Sequence, residues 1–288
     1  MSDFVNLTID GLSVSAPAGS TILEAAKLVG IDIPTLCHHP MLRPEGCCRV
    51  CVCKVTKARS FIPACIAQIT EGMEVFTSTP DVLEARKNIV ELLLANHPKD
   101  CLACSRSGNC ELQNIANNLG IRQIRYEYNR PELPKDESNP CLVRDPSKCI
   151  LCGRCVRMCA EVQGTSIYSF AYRGLNARVT PAFNLGLGNV ACTFCGQCRK
   201  VCPTAAITYK SDIDRVRAAL NDPEKIVMVQ TAPSVRVAIS EPFGGVPGDI
   251  ATGQMASALR RLGFDKVFDT NWSADLTIME EGSELIDR

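Results

Sequence analysis

Two runs of four cysteines carry the most specific chemical signal in the sequence. They read Cys149-x2-Cys152-x2-Cys155-x3-Cys159 and Cys192-x2-Cys195-x2-Cys198-x3-Cys202-Pro203. This spacing is typical of bacterial ferredoxins with two 4Fe-4S clusters, where the last cysteine of each run binds the cluster of the other run. The sequence therefore predicts two sets of ligands: Cys149, Cys152, Cys155 and Cys202 for one cluster, and Cys192, Cys195, Cys198 and Cys159 for the other.

The alternative interpretation of these runs is a pair of structural zinc sites, because Cys-x2-Cys also suits tetrahedral zinc. Two complete four-cysteine runs favour iron-sulfur clusters over zinc. Ala160 stands where a proline is expected after the first run, which is a minor departure from the ferredoxin pattern.

A third motif, which precedes both runs, combines one histidine with three cysteines. It reads His97-x3-Cys101-x2-Cys104-x5-Cys110. In isolation this motif fits zinc as well as it fits a cluster. Its position beside two predicted ferredoxin clusters favours a 4Fe-4S cluster with His97 as a ligand, although a histidine at the end of a helix can also serve as a charge at the helix C-terminus. A neutral imidazole would leave this cluster less negative than a cluster held by four thiolates.

The first cysteine group has the least regular spacing. Its Cys48-x2-Cys51 pair and the distant Cys37 and Cys65 predict a 2Fe-2S cluster on the loops of a small α+β domain, although the spacing departs from the plant-type ferredoxin pattern. Three cysteines remain without a predicted ligand role, and we expect them to be small buried thiols: Cys47, Cys53 and Cys141.

Composition limits the classes of function. The chain has 288 residues, 18 cysteines and a formal net charge of zero, so no field favours nucleic acid. The N-terminus has no secretory signal pattern, and no apolar run predicts a membrane span. We therefore expect a cytoplasmic protein without a membrane partner, in which clustered cysteines bind metal or carry out redox chemistry.

No residue pattern predicts a site that converts a substrate. Only three histidines are present, and no serine, histidine and carboxylate set stands out. Residues 186–191 match the Gly-x-Gly-x-x-Gly/Ala dinucleotide pattern, but they lead directly into Cys192 instead of opening a helix. We therefore predict no catalytic residues and no cofactor site beyond the clusters.

Local patterns predict the elements that position the cysteines. A hairpin is expected at Asp10-Gly11, a helix over 22–28 ending at Gly30, and a helix from about Pro80 to Asn96 with Thr79 as its cap. A charged, proline-rich linker is predicted over about 125–140. After Cys202, a strand, a helix ending at Gly263, a second strand and a closing helix predict a parallel crossover unit.

The order of the motifs resembles the N-terminal half of the FeFe-hydrogenase catalytic subunit, and also the large iron-sulfur subunit of respiratory complex I. The resemblance lies in LCHHPMLRPEGCCRVC with Cys65, HPKDCLACSRSGNCELQ, KCILCGRCVRMC and CTFCGQCRKVCPTAAI. Residues from about Ile226 onward favour the hydrogenase line. The implied fold is a multidomain α+β protein with a β-grasp 2Fe-2S domain (1–79), a small helical domain with the one-histidine cluster and a linker (80–138), a two-cluster ferredoxin domain (139–212) and a truncated α/β domain (213–288).

The resemblance also carries a functional expectation. In that family the hydrogen-activating cluster is held by later cysteines, and no cysteine follows Cys202 in this sequence. Taken as complete, the sequence predicts a subunit that has lost the hydrogen-activating site and relays electrons in a flavin-based electron-bifurcating transhydrogenase coupling NADPH, NAD and ferredoxin. The implied partners are an NAD- and flavin-binding iron-sulfur subunit, an NADPH-binding flavoprotein and ferredoxin. The alternatives are the electron-relay part of an electron-bifurcating hydrogenase and, from another class, a structural zinc protein.

Overall fold

A computed structural model describes residues 4–127 and 133–288. The chain divides into two compact units, Met1–Lys210 and Ser211–Arg288, which are described separately below. Within the described residues, no helix combines the length and the apolar character needed to cross a bilayer.

A five-stranded mixed sheet forms the N-terminal part of the first unit. Its strands are β1 (Phe4–Ile9), β2 (Leu12–Pro17), β3 (Val52–Val55), β4 (Ile62–Pro63) and β5 (Glu74–Phe76). The strand order is β2-β1-β5-β3-β4, with β1 parallel to β5 and the other neighbours antiparallel. The predicted hairpin is confirmed: Asp10 and Gly11 both have positive φ, +49° and +81°, as a tight two-residue turn requires.

Helix α1 (Ile22–Leu28) packs its buried face on this sheet and has the predicted bounds. Thr21 and Glu24 form a reciprocal capping box: Thr21 Oγ1 accepts from Glu24 N at 3.2 Å, and Glu24 Oε2 accepts from Thr21 N at 2.7 Å. Two backbone N–H groups that would lack a partner at the helix start are thereby paired. The backbone then leads from α1 toward the loop that carries Cys37.

Helix α2 (Pro80–Ala95) begins and ends close to the predicted positions, and Pro80 opens it as expected. Thr79 occupies the N-cap position, as predicted, but its side chain makes no capping hydrogen bond. Arg86 is 4% exposed and donates from Nη2 to the Val52 carbonyl oxygen at 2.7 Å. This contact ties α2 to strand β3 beside the first cysteine group.

The remaining elements of the first unit are short. They are α3 (Glu111–Asn118), β6 (Leu142–Arg144), α4 (Arg154–Arg157), β7 (Ser169–Ala171), β8 (Arg178–Thr180), α5 (Gln197–Val201) and β9 (Ile207–Tyr209). Strand β6 pairs antiparallel with β9, and β7 with β8. The core between them combines apolar side chains such as Leu187 and Ile207 with cysteines of the two four-cysteine runs, among them the buried Cys198 and Cys202.

The predicted linker is anchored at its C-terminal end. Residues 128–132 lie outside the described residues. Asp136 exchanges two backbone hydrogen bonds with Arg144, and the buried Asn139 accepts from the N–H groups of Cys141 and Leu142 at 2.9 and 3.0 Å. The segment leading into the first cysteine run is therefore part of the packed domain.

The Gly186-Leu187-Gly188 stretch has a packing role. A Cβ at Gly188 would lie 2.3 Å from the Ser138 carbonyl oxygen, so only glycine allows this approach. The Gly188 N–H donates to Ser138 Oγ at 2.9 Å. The dinucleotide-like pattern therefore corresponds to close backbone packing before Cys192.

The second unit contains the predicted parallel crossover. Its elements are α6 (Ile213–Leu220), β10 (Met228–Thr231), α7 (Thr252–Arg261), β11 (Lys266–Asp269) and α8 (Thr270–Asp287). Strands β10 and β11 pair in parallel, which confirms the prediction, whereas α6 was not predicted. Gly263 has a φ of +103°, as the predicted helix stop requires.

Candidate metal centres

The two four-cysteine runs form loops of the same shape. In the first loop Leu151 and Gly153 have positive φ angles of +56° and +70°, and in the second Phe194 and Gly196 have +56° and +72°. Each pair flanks the second cysteine of its run. Left-handed residues within a turn let its N–H groups face inward, an arrangement that suits anions and many iron-sulfur sites. In the first loop the Leu151 N–H donates to Cys149 Sγ at 3.4 Å.

Two neighbouring cavities are lined by the predicted sets of ligands. Cys202 of the second run lines the first cavity with the first three cysteines of the first run, namely Cys149, Cys152 and Cys155. Cys159 of the first run lines the second cavity with the first three cysteines of the second run, namely Cys192, Cys195 and Cys198. The structure thus brings together the crosswise groupings that ferredoxin spacing predicts.

Local structure directs Cys159 away from its own run. A π-helical turn over Met158–Val162 continues α4 and carries this residue. Cys159 Sγ accepts from the Ile167 N–H at 3.3 Å and lies 3.2 Å from Thr165 Oγ1. Widened turns of this kind are frequent at functional sites because they change where a side chain points.

The donor atoms around these cavities fit iron-sulfur clusters. Burial raises the pKa of Cys152 to about 12 and that of Cys198 to about 11, and it raises the pKa of Cys155 well above its usual value. Buried thiolates need a compensating cation, and metal binding releases the protons of the thiols. Among residues 4–127 and 133–288, no group of three or more His, Cys, Asp or Glu side chains is arranged to hold a single metal ion.

Tyr168 lies between the two cavities and lines both of them, a position that the spacing of the cysteines did not reveal. It is 4% exposed, and its hydroxyl lies 3.8 Å from Cys198 Sγ. Burial raises the pKa of Tyr168 far above its usual value, so the hydroxyl stays protonated and can donate toward sulfur.

The first cysteine group also converges. Cys37 Sγ interacts by hydrogen bonds with the thiols of Cys47, Cys48 and Cys65, and Cys65 interacts with Cys51. The hydrogen bonds with the thiols of Cys47, Cys48 and Cys65 hold the pKa of Cys37 well below its usual range, and the bond with Cys47 has the largest effect. The four predicted 2Fe-2S ligands, Cys37, Cys48, Cys51 and Cys65, therefore lie together with Cys47 in one group of side chains, called the first thiol cluster below. The five-stranded sheet and α2 support the loops that carry it.

The three leftover cysteines differ in environment. Cys53 is buried and donates to the Ile62 carbonyl oxygen at 3.3 Å, which confirms the expectation of a small buried thiol. The same expectation is wrong for Cys47 and Cys141, which are exposed. Cys47 also lies within the first thiol cluster, and its Sγ is 3.6 Å from the Cys152 carbonyl oxygen. Spacing alone misses this contact, because it joins loops distant in sequence.

The one-histidine motif lies between α2 and α3. His97 follows the end of α2, Cys101 begins a 3₁₀ turn over Cys101–Ala103, and Cys110 directly precedes α3. Cys110 is buried, and its pKa is raised mainly by burial and further by the nearby Cys104. The assignment of all four residues as ligands stays a prediction.

Replacement of His97 tests that prediction. We expect His97→Ala to lose one 4Fe-4S cluster, and His97→Cys to keep it with a lower midpoint potential, because a thiolate adds negative charge that disfavours the reduced cluster. Potentiometric EPR on both variants would measure this. A full set of clusters with unchanged potentials in His97→Ala would show that His97 is not a ligand.

The one-histidine segment contacts the first cavity through the backbone around Cys202. Arg106 Nη2 donates to the Cys202 carbonyl oxygen at 3.3 Å, and the Glu111 N–H donates to the Pro203 carbonyl oxygen at 3.0 Å. The first thiol cluster approaches the same cavity from the Cys152 side, as the Cys47 contact shows. Segments that line the first cavity are thus in contact with both the first thiol cluster and the one-histidine segment.

Comparison with protein families finds four matches in chain order. They are a 2Fe-2S iron-sulfur cluster binding domain over 2–80, the NADH-ubiquinone oxidoreductase-G iron-sulfur binding region over 86–125, a 4Fe-4S dicluster domain over 148–206, and the C-terminal domain of the iron-only hydrogenase large subunit over 225–288. The chain belongs to the iron-sulfur protein family that includes iron-only hydrogenases and the iron-sulfur subunits of NADH-quinone oxidoreductases. The resemblance found in the sequence is therefore confirmed, and so is the mixed α/β architecture with 2Fe-2S and 4Fe-4S domains.

Members of this iron-sulfur family match nearly the whole chain. The NADP-reducing hydrogenase subunit HndD of Solidesulfovibrio fructosivorans is 48% identical over 99% of the chain, and iron hydrogenase 1 of Clostridium pasteurianum is 36% identical over 98%. The chain spans 49% of the length of each of these two relatives. A crystal structure of an NAD+-reducing NiFe hydrogenase matches with a TM-score of 0.68 and 30% identity, covering 72% of this chain and 88% of that chain.

Proposed function

We propose that this chain is the iron-sulfur electron-transfer subunit of an NAD(P)-dependent oxidoreductase complex, with one 2Fe-2S and three 4Fe-4S clusters. The observation that supports this most is the pair of adjacent cavities, each lined by three cysteines of one run and one of the other. When bound, each cluster would accept and release a single electron at a potential set by its ligands and surroundings. The proposed role is electron relay, without conversion of a substrate in this chain.

The chain's own residues supply the fixed surroundings that such a relay needs. The paired left-handed residues shape both loops, Tyr168 and apolar side chains separate the two cavities, and backbone contacts join the first cavity to its neighbours. Such contacts between segments would hold the bound groups at fixed distances from one another. Burial of Cys152, Cys198 and Cys202 limits access of water to these ligands, which is one of the factors that sets cluster potentials, whereas Cys195 is exposed.

In its finer form, the proposal is that the complex is a flavin-based electron-bifurcating transhydrogenase that couples NADPH, NAD and ferredoxin. The NADP-reducing activity in the name of the 48% identical relative supports a nicotinamide-linked complex. The proposed partners are an NAD- and flavin-binding iron-sulfur subunit, an NADPH-binding flavoprotein and ferredoxin. Nicotinamide and flavin sites would lie on those partners.

A hydrogenase complex is the second candidate. Residues 225–288 match the C-terminal domain of the iron-only hydrogenase large subunit, and β10, α7, β11 and α8 lie in that region. In this case the chain would correspond to the electron-relay half of a hydrogen-activating protein.

Purification of the native complex under anaerobic conditions tests the proposal. We expect iron, acid-labile sulfide and EPR signals from both 2Fe-2S and 4Fe-4S clusters, copurification of two flavoproteins, and ferredoxin-dependent electron exchange between NADPH and NAD. Hydrogen uptake by the same preparation would favour the hydrogenase candidate. A colourless protein that contains zinc and no acid-labile sulfide would contradict both and support the structural zinc alternative.

A further inference from the structure

Arg157, at the end of α4, is a buried cation whose contacts cross between two cysteine groups. It is 4% exposed. Its Nη2 donates to the Cys37 carbonyl oxygen at 2.6 Å and to the Cys152 carbonyl oxygen at 3.4 Å, and its Nη1 donates to the Arg43 carbonyl oxygen at 2.5 Å. Its Nε lies 3.2 Å from Glu45 Oε2. One planar guanidinium therefore joins the loop of the first thiol cluster to the loop of the first cavity.

The chemistry of this contact favours arginine specifically. A guanidinium presents several donors in a fixed plane, whereas the ammonium of lysine is a flexible point charge. A buried cation without partners would be strongly destabilising, but here the three carbonyl oxygens and Glu45 compensate the charge. The two carbonyls that Nη2 bridges belong to residues proposed as ligands of different clusters, Cys37 and Cys152.

Two further contacts indicate that these loops pack closely. A Cβ added at Gly153 would lie 3.0 Å from Glu45 Oε2 and 3.3 Å from Phe170 Cζ, so the packing leaves little room for a side chain there. Cys47 Sγ lies 3.6 Å from the Cys152 carbonyl oxygen on the same side. Arg157 is thus the charged centre of a small interface between the two loops.

We propose that Arg157 is a positioning residue that holds the 2Fe-2S loop against the first 4Fe-4S loop and favours the reduced state of both sites by its charge. This inference rests on the proposed function, because it assumes the 2Fe-2S and first 4Fe-4S assignments. Arg154, one turn earlier on α4, contacts Glu111 Oε1 at 2.8 Å and the Val201 carbonyl oxygen at 3.4 Å. The two arginines of α4 therefore reach different neighbours.

The test compares Arg157→Gln and Arg157→Lys with Arg43→Gln in the full chain loaded with clusters. Arg43 is a matched control because its side chain is 79% exposed. Among the ion pairs of the described residues, it takes part only in the one with Glu161, at 3.9 Å. In Arg157→Gln we expect normal iron and sulfide content and a lower 2Fe-2S midpoint potential. We also expect the EPR signal of the 2Fe-2S cluster to lose the faster spin relaxation that the neighbouring first 4Fe-4S cluster causes. Arg157→Lys keeps the charge, so it should keep the potential but lose the relaxation enhancement. Arg43→Gln should change neither.

The outcomes separate this inference from the function on which it rests. Absence of iron-sulfur signals from the wild-type protein would overturn both. Intact clusters with wild-type relaxation and potential in Arg157→Gln would overturn the role of Arg157 and leave the proposed function standing. If Arg157→Gln loses iron, Arg157→Lys decides: wild-type relaxation in that variant would overturn the positioning role, and lost relaxation with full iron content would support it.

Discussion

Replacing Cys202 with serine is expected to remove the same 4Fe-4S signal as Cys152→Ser, although Cys202 belongs to the other run. Cys202 and Cys152 line the first cavity together, whereas Cys195 and Cys198 line the second. Loss of one of four thiolates from a buried site leaves the cluster without a complete set of ligands and leaves the remaining thiols buried. We therefore expect near-complete loss of one cluster and retention of the other.

The matched variants make this prediction specific. Cys159→Ser should reproduce the phenotype of Cys195→Ser, and Cys202→Ser that of Cys152→Ser. EPR spectra at defined potentials, with iron and sulfide analysis, would distinguish the two lost signals. Cys141→Ser is a suitable control, because Cys141 is exposed and lines neither cavity. If Cys202→Ser instead matched Cys195→Ser, each run would hold its own cluster and the crosswise assignment would be wrong.

Removal of iron is expected to unfold the two-cluster region while the N-terminal sheet stays folded. The core of the two-cluster region has four buried leucine, isoleucine or valine side chains, and six cysteine side chains lie in it or pack against it. The N-terminal core, by contrast, contains many buried aliphatic side chains, among them Leu7, Ile9 and Ile22. Each such side chain contributes about 1.5–3 kcal/mol when fully buried. Metal sites that replace an apolar core contribute the folding free energy directly, as in small zinc domains.

Hydrogen exchange read by mass spectrometry measures this difference. After chelation of iron under reducing conditions, we expect protection in β9 (Ile207–Tyr209) to fall by at least about 100-fold, equivalent to about 2.7 kcal/mol. Protection in β1 and α1 should change little, which supplies the internal control. Retained protection of β9 in the iron-free protein would show that this region folds without its clusters.

Much of the site could be predicted from sequence because cluster ligands follow a fixed local geometry. Three cysteines within one run must lie on one tight loop, and Gly153 and Gly196 supply the conformation that this loop needs. The hairpin at Asp10-Gly11 and the bounds of α1 were predictable for the same reason, since turn and capping residues act over a few positions.

Contacts between loops distant in the sequence could not be predicted. Arg154 and Arg157 resemble ordinary surface charges in the sequence, yet both are 4% exposed. Asn139 lies in a segment with linker composition but is fully buried and caps the start of β6. Burial of such polar groups depends on partners that only the folded chain brings near, namely carbonyl oxygens and N–H groups of other segments. The position of Cys47 beside Cys152 is of the same kind.

The crosswise lining of the two cavities has a consequence for biosynthesis. Cys149, Cys152 and Cys155 leave the ribosome well before Cys202. On the proposed assignment, the first cavity lacks its fourth thiolate until the second run has been translated and has folded back. The machinery that delivers iron and sulfide would then have to act on both sites at nearly the same time, and a nascent chain arrested between the two runs would hold neither cluster stably.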